Sequence, residues 1–261
     1  MYREAPSRIA GAVLWHSVRP VGAAPTRVLP DGCIDLIWSS ETGLLVAGPD
    51  TTAQLAAGPT GERYVGLRLP PGTGPAVLGV PADRLRDQRL PLAALWSERL
   101  ARELTARAFD GSTPAAPGTA VPDAATPLPG TVTAEAAAVA AVLEAVAADR
   151  LREAGGPDPA AALLTRRLGA GRPVAAVAVE LGVGARQLHR RSQVLFGYGP
   201  KTLARILRLR RALALARTGL PAAEVAARTG YADQPHLSRD IRDLAGVPLG
   251  VLLSTGPAVP A

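Results

Sequence analysis

The sequence predicts an α+β protein of two domains, a small antiparallel sheet or half-barrel with helices followed by an all-α domain. Three observations carry this. Over the first hundred residues, short runs rich in branched and aromatic side chains alternate with turns of Gly, Pro and Asp. From residue 134 onward, apolar residues recur at helical spacing. Between Pro173 and Leu244 the same short pattern of helix, tight turn and helix occurs twice.

In chain order, residues 11–18, 33–38, 44–47 and 63–69 read as strands, bounded by turn chemistry at 29–32, 41–43, 48–50, 58–61 and 70–72. From Pro81 the pattern changes to helix, with Leu85, Leu90, Leu92, Leu95, Trp96, Leu100 and Leu104 as buried candidates. The run PPGTGP at 70–75 lacks the Lys-Ser/Thr ending of a phosphate loop and reads as a turn. Residues 111–130 hold five prolines among Ser, Thr, Ala and Gly, which predicts an extended linker. An alanine-rich helix follows at 134–153, with Val139, Val142, Leu143, Val146 and Leu151 in one stripe. The stripe is too short for a coiled-coil seam of three or four heptads, so packing on its own chain is the expectation. GGPDP at 155–159 opens the last domain, 160–168 forms its first helix, and a short apolar turn after Pro248 leads into a frayed tail at 255–261.

The repeated pattern places Ala178 and Ala226 four residues before Gly182 and Gly230, so two helices can approach closely and the chain can turn through a left-handed conformation. The second helix of each copy has two faces. Leu188 in one, and Leu237, Ile241 and Leu244 in the other, point to a core. The outer faces carry Arg186, Gln187, His189, Arg190 and Gln193, and Gln234, His236, Ser238, Arg239 and Arg242. Arg and Gln are the residue types that bond guanine and adenine edges bidentately in the major groove. Between the copies, residues 201–217 form a strong helix about 25 Å long, a spacer fit for holding two reading helices near the ~34 Å repeat of the duplex. Charge agrees: from Pro157 onward fifteen Lys and Arg face six Asp and Glu, net +9, whereas the rest is net −2.

These features resemble the DNA-binding domain of AraC-type transcription regulators. The resemblance rests on GYGPK at 197–201, RLRRA at 208–212, GYADQPHLSR at 230–239 and AGVP at 245–248. It implies base reading by Arg186, His189 and Arg190 in the first unit and by Gln234, Pro235, His236, Ser238 and Arg239 in the second. Arg166, Arg167, Lys201, Arg205 and Arg242 are expected on DNA phosphates. Three residues depart from the family pattern: Ser192 replaces a core aromatic, Gly184 replaces a Ser or Thr cap, and Pro235 has no side-chain donor. LPDGCIDLIW at 29–38 and VGLRLPPG at 65–72 resemble an N-terminal domain of uncharacterised role in such regulators. In related regulators a cupin-like barrel at this end senses a small molecule or dimerises.

Catalysis fails on inventory. The three histidines are His16, His189 and His236, and two of them lie on the reading helices. His16 beside Trp15 reads as a structural histidine, and one His with one Cys makes no zinc site of the usual kind. Asp31 belongs to a turn, and Asp35 alternates with Ile34 and Leu36 as a solvent-face or pocket-lining residue. The lone Cys33 reads as a small buried hydrophobe, in keeping with a reducing compartment.

The expectation is therefore a cytoplasmic one-component regulator without cofactor, metal or enzymatic activity. Residues 1–110 form a sensing or interaction domain, 111–130 a linker, 131–156 a connecting helix and 157–255 the double helix-turn-helix domain. Its expected partners are double-stranded DNA, RNA polymerase and a small-molecule effector or partner protein, with no membrane, as monomer or homodimer. Two other classes stay open from sequence: an enzyme that the helical domain targets to DNA, and a ligand-binding protein whose helical domain contacts protein.

Overall fold

The computed structural model describes residues 2–110 and 133–254. The expected linker at 111–130 and tail at 255–261 lie outside the described residues. Strands β1 (Tyr2–Pro6), β2 (Val13–Val18), β3 (Thr26–Val28), β4 (Ile34–Ser39), β5 (Gly43–Ala47), β6 (Gln54–Ala56), β7 (Arg63–Leu69) and β8 (Arg89–Pro91) make two antiparallel sheets. Six form an open sheet ordered β1-β2-β7-β4-β5-β8, while β3 and β6 pair alone as a ribbon. Helices α1 (Gly74–Leu78), α2 (Glu98–Asp110) and α3 (Ala134–Glu153) complete this part.

Alternation assigns the two faces of the large sheet. The pairs Leu14↔Leu67, Leu36↔Leu67 and Trp38↔Val65 put one apolar set on one face, where it joins α1, α2 and α3 in a single core. Thr133 caps α3 by accepting from the Ala136 N–H. Its apolar stripe lies on the sheet, with Ala136, Val139, Ala140, Leu143 and Ala147 buried. The small residues let the helix come close. Glu144 is buried on the same helix but fully used: Ser7 Oγ and the Arg8 N–H donate to it at 2.6 Å, and Arg8 Nε pairs with it. Burial pushes its carboxyl up, yet these donors outweigh that and hold it below the usual range.

The opposite face is polar. Trp15 lies over Gly66, where a Cβ would sit 2.2 Å from the indole, and its Nε1–H donates to Asp35 Oδ1 at 2.6 Å. Arg68, directly across from Asp35, has Nε 3.6 Å from that carboxylate and Nη1 3.0 Å from Glu4. Asp35 is thus no solvent-face residue: its side chain is 15% exposed because Trp15 and Arg68 close over it. His16 shares the core face with Val65, and burial, then Arg3, lowers its pKa. Cys33 is buried; burial, then Asp31, raises its thiol well above the usual value, so it stays protonated.

The helix expected from Pro81 is interrupted. A 3-10 turn at Ala82–Arg84, strand β8 and another 3-10 turn at Leu92–Ala94 precede α2. Pro81 and Pro91 and the positive φ of Asp87 prevent a continuous helix, and Leu90 instead pairs with Val46 at the sheet edge. PPGTGP turns at 71–73, where the Thr73 N–H returns to Pro70 O at 3.0 Å, and leads directly into α1.

The last part contains α4 (Pro159–Gly169), α5 (Val174–Glu180), α6 (Ala185–Phe196), α7 (Pro200–Arg217), α8 (Ala222–Thr229), α9 (Gln234–Ala245) and α10 (Leu249–Ser254). α10 stands where an apolar turn was expected, because Leu252 is buried on the core. Helix α7 is the spine, burying Leu203, Ile206, Leu207, Leu209, Ala212 and Leu213 against the others. The two parts meet tightly. Leu29 of the first belongs to the core of the second, and a Cβ on Gly72 would lie 2.5 Å from Ala161 and 3.0 Å from the Phe196 ring.

Burial, opposed by Arg68 and assisted by Asp31, pushes the Asp35 carboxyl up to about 6. Between about pH 4 and pH 6 the folded chain keeps a proton that the unfolded chain has released. This carboxyl's favourable contribution is therefore complete below pH 4 and lost as pH rises through 6. In urea titrations at several pH values, the stability of the wild type relative to Asp35→Asn should fall by up to about 3 kcal/mol between pH 4 and pH 7. A pH-independent difference would refute the assignment.

Candidate nucleic-acid interface

Each helix pair is built by a left-handed glycine. After α5 the chain turns at Gly182 (φ 65°), and the Val183 N–H returns to Ala178 O at 3.0 Å. After α8 it turns at Gly230 (φ 79°), and the Tyr231 N–H returns to Ala226 O at 3.0 Å. Helices α6 and α9 start differently. Asp233 caps α9, its carboxylate accepting the His236 N–H at 2.6 Å, whereas Gly184 gives α6 no side-chain cap. Pro235 falls in the first turn of α9, where a missing N–H costs nothing.

Ser192 is fully buried, and its hydroxyl donates to Tyr198 O at 2.8 Å. Leu195, Phe196 and Tyr198, all buried, supply the volume that an aromatic at 192 would fill. The second unit turns on Asp240, a buried carboxylate that pairs with Arg205, accepts from Tyr231 Oη at 2.8 Å and lies 3.7 Å from Arg208. Arg208 also stacks over the Tyr231 ring at 4.3 Å. Burial, then the bond to Asp240, raises the Tyr231 pKa. In the first unit Arg191 holds Asp158 with two bonds of 3.1 and 2.6 Å, joining α6 to the start of α4.

The expected base-reading residues fall on the outer faces. Arg186, His189 and Arg190 are exposed on α6; Gln234 and Arg239 are exposed and His236 and Ser238 half-exposed on α9. The exposed His189 ring lies beside Gly199, 2.5 Å from where that residue would carry a Cβ, and His236 meets Tyr231 edge-on at 5.2 Å. Among the expected phosphate residues, Arg166, Lys201 and Arg242 are exposed, and with Arg186, Arg190 and Arg239 they have no acidic partner among the described residues. Arg167 pairs with Glu180 at 2.7 Å, and Arg205 is shared by Asp240 and Asp243. A reading of faces singles out outward charges and passes over Asp240, whose acid at helical spacing from Leu237, Ile241 and Leu244 is the available signal.

Residues 177–254 match a family described as a helix-turn-helix domain. The C-terminal domain is an AraC-type helix-turn-helix domain. With it, the chain is a DNA-binding transcription regulator. Residues 12–91 match a family described as a domain of unknown function, DUF6597. No curated protein matches the sequence. Among solved structures, the chain is similar to ToxT from Vibrio cholerae O395, at 10% identity and a TM-score of 0.45, covering 95% of this chain and 98% of that one. Fatty-acid-bound ToxT from V. cholerae strain SCE256 aligns at 9% identity and a TM-score of 0.43, covering 98% and 99%. Among the described residues, no helix is long and apolar enough to cross a membrane.

Asp240 is the natural point at which to break the AraC-type domain. Asp240→Ala leaves Arg205 with Asp243 as its remaining acid and takes the acceptor from Arg208 and the Tyr231 hydroxyl, and is expected to cost about 1–3 kcal/mol, discounted because both arginines are about a third exposed. Chemical denaturation measures this, and a change below about 0.5 kcal/mol would show that the network is not structural.

Proposed function

We propose that the AraC-type domain, residues 157–255, reads two successive major-groove segments, one with α6 and one with α9. The observation that carries this is the pairing of two reading faces on one spine with six exposed cations that no acid neutralises among the described residues. Arg186, His189 and Arg190 contact bases in one segment, and Gln234, His236, Ser238 and Arg239 in the next, with His236 turning away from Tyr231. Arg166, Lys201 and Arg242 contact phosphates. Arg167 and Arg205 do so only by sharing their present acids. Residues 1–110, with α3 on their sheet, serve as a sensing or interaction domain that modulates binding in response to a small molecule or partner. The docking of that domain against α6 and α9 supports this role. RNA polymerase is the partner through which a bound regulator of this kind acts.

Duplex selection from a random pool by the full chain, at two salt concentrations, tests the reading. A bipartite motif with halves about one helical turn apart is expected. Binding without sequence preference that falls steeply with salt would refute it. Arg190→Ala or Arg239→Ala should lose about 1–3 kcal/mol on the selected site and relax base choice in its own half, whereas Lys201→Ala should weaken all duplexes alike and lower the salt slope by about 1.

A further inference from the structure

The N-terminal domain grips the far ends of both reading helices. At the end of α6, Arg86 Nη1 donates to Gly197 O at 3.3 Å. The fit there is close: a Cβ on Gly197 would lie 2.7 Å from Pro49 and 3.1 Å from Ala82 O. At the end of α9, the Ala53 N–H donates to Leu244 O at 2.7 Å and Arg27 Nη1 to Ala245 O at 2.8 Å, both from the β3–β6 ribbon region. Between these points Arg210 of α7 reaches Asp31 O at 3.5 Å. The last carbonyls of a helix have no partner within it and carry the negative end of its dipole, so a guanidinium there is favoured by both bonding and charge. Neither grip covers Arg186, Arg190, Gln234 or Arg239, which sit toward the opposite ends of their helices and are exposed.

Building on the two-helix reading above, we propose that the N-terminal domain sets the separation and tilt of α6 and α9, with Arg27 and Arg86 as positioning residues. The domain thereby determines which spacing of half-sites the full chain accepts. Two helix pairs joined by a single helix can rock about it. A second body attached to both far ends removes that freedom, and its own rearrangement would change the accepted spacing without touching a base-reading residue.

The test uses the full chain and duplexes carrying both selected half-sites, with the spacer lengthened or shortened one base pair at a time. Each step shifts one half-site by about 3.4 Å and about 34° around the axis. Wild type is expected to prefer one spacing by about tenfold over its neighbours, and Arg27→Ala/Arg86→Ala to reduce that ratio to about threefold or less. Affinity for a duplex with a single half-site should stay at the wild-type value, which a general loss of structure would not allow. If the double variant melts below the assay temperature, Arg86→Ala alone, at an exposed residue, gives the same comparison through α6. Superimposable spacing profiles for wild type and variant would overturn the inference and leave the reading helices assigned. A wild type with no spacing optimum would remove the two-helix reading itself, and the inference with it.

Discussion

The structure depends on the burial of one turn. Phe196, Gly197 and Tyr198 end α6, lead into the spine helix and fill the space between the two domains. Burying the two aromatic side chains stabilises the arrangement by about 1.5–3 kcal/mol each. Opposing this, Tyr198 Oη and Asp31 Oδ2 are buried there without a hydrogen-bond partner among the described residues, at a cost of about 1–3 kcal/mol each. At Tyr198 the joint is held by shape, while its polar bonds lie at Gly197 O, Leu244 O and Ala245 O. Its glycines matter for the same reason: Gly72 and Gly197 stand where any side chain would push the domains apart.

The two helix-turn-helix units reach the same shape by different means. The second is tied by charge through Asp240 and started by the Asp233 cap. The first is tied by packing around Ser192 and by Arg191 on Asp158, and α6 begins without a cap, a loss of only a few tenths of a kcal/mol for glycine.

Much of this is legible in the sequence; strand β1, five residues long, is not among the segments read from it, and most of the other unread parts share a cause. Strands β2, β4, β5 and β7 and all the helices of the AraC-type domain up to α9 announce themselves by period and by flanking turns. Strands β3, β6 and β8 are three residues long, too short for any periodicity, and exist only because a partner segment lies beside them. Asp35 shows the same limit: alternation assigns it correctly to the face opposite Ile34 and Leu36, but that face is covered by Trp15 and Arg68, which are distant in sequence. In the candidate interface the outward faces of α6 and α9 follow from spacing alone. The neutralisation of Arg205 by Asp240 and Asp243, and of Arg167 by Glu180, does not, since those acids come from other helices.

The interdomain contacts meet α6 and α9 at Gly197 and at Leu244 to Gly246, whereas Arg186, Arg190, Gln234 and Arg239 lie in the first halves of those helices. Substitutions at Arg186, Arg190, Gln234 or Arg239 leave the contacts of the joint in place. A lineage built on this plan can drift toward new target sequences while its domain joint stays under separate selection, and a transplanted reading face would meet an intact scaffold.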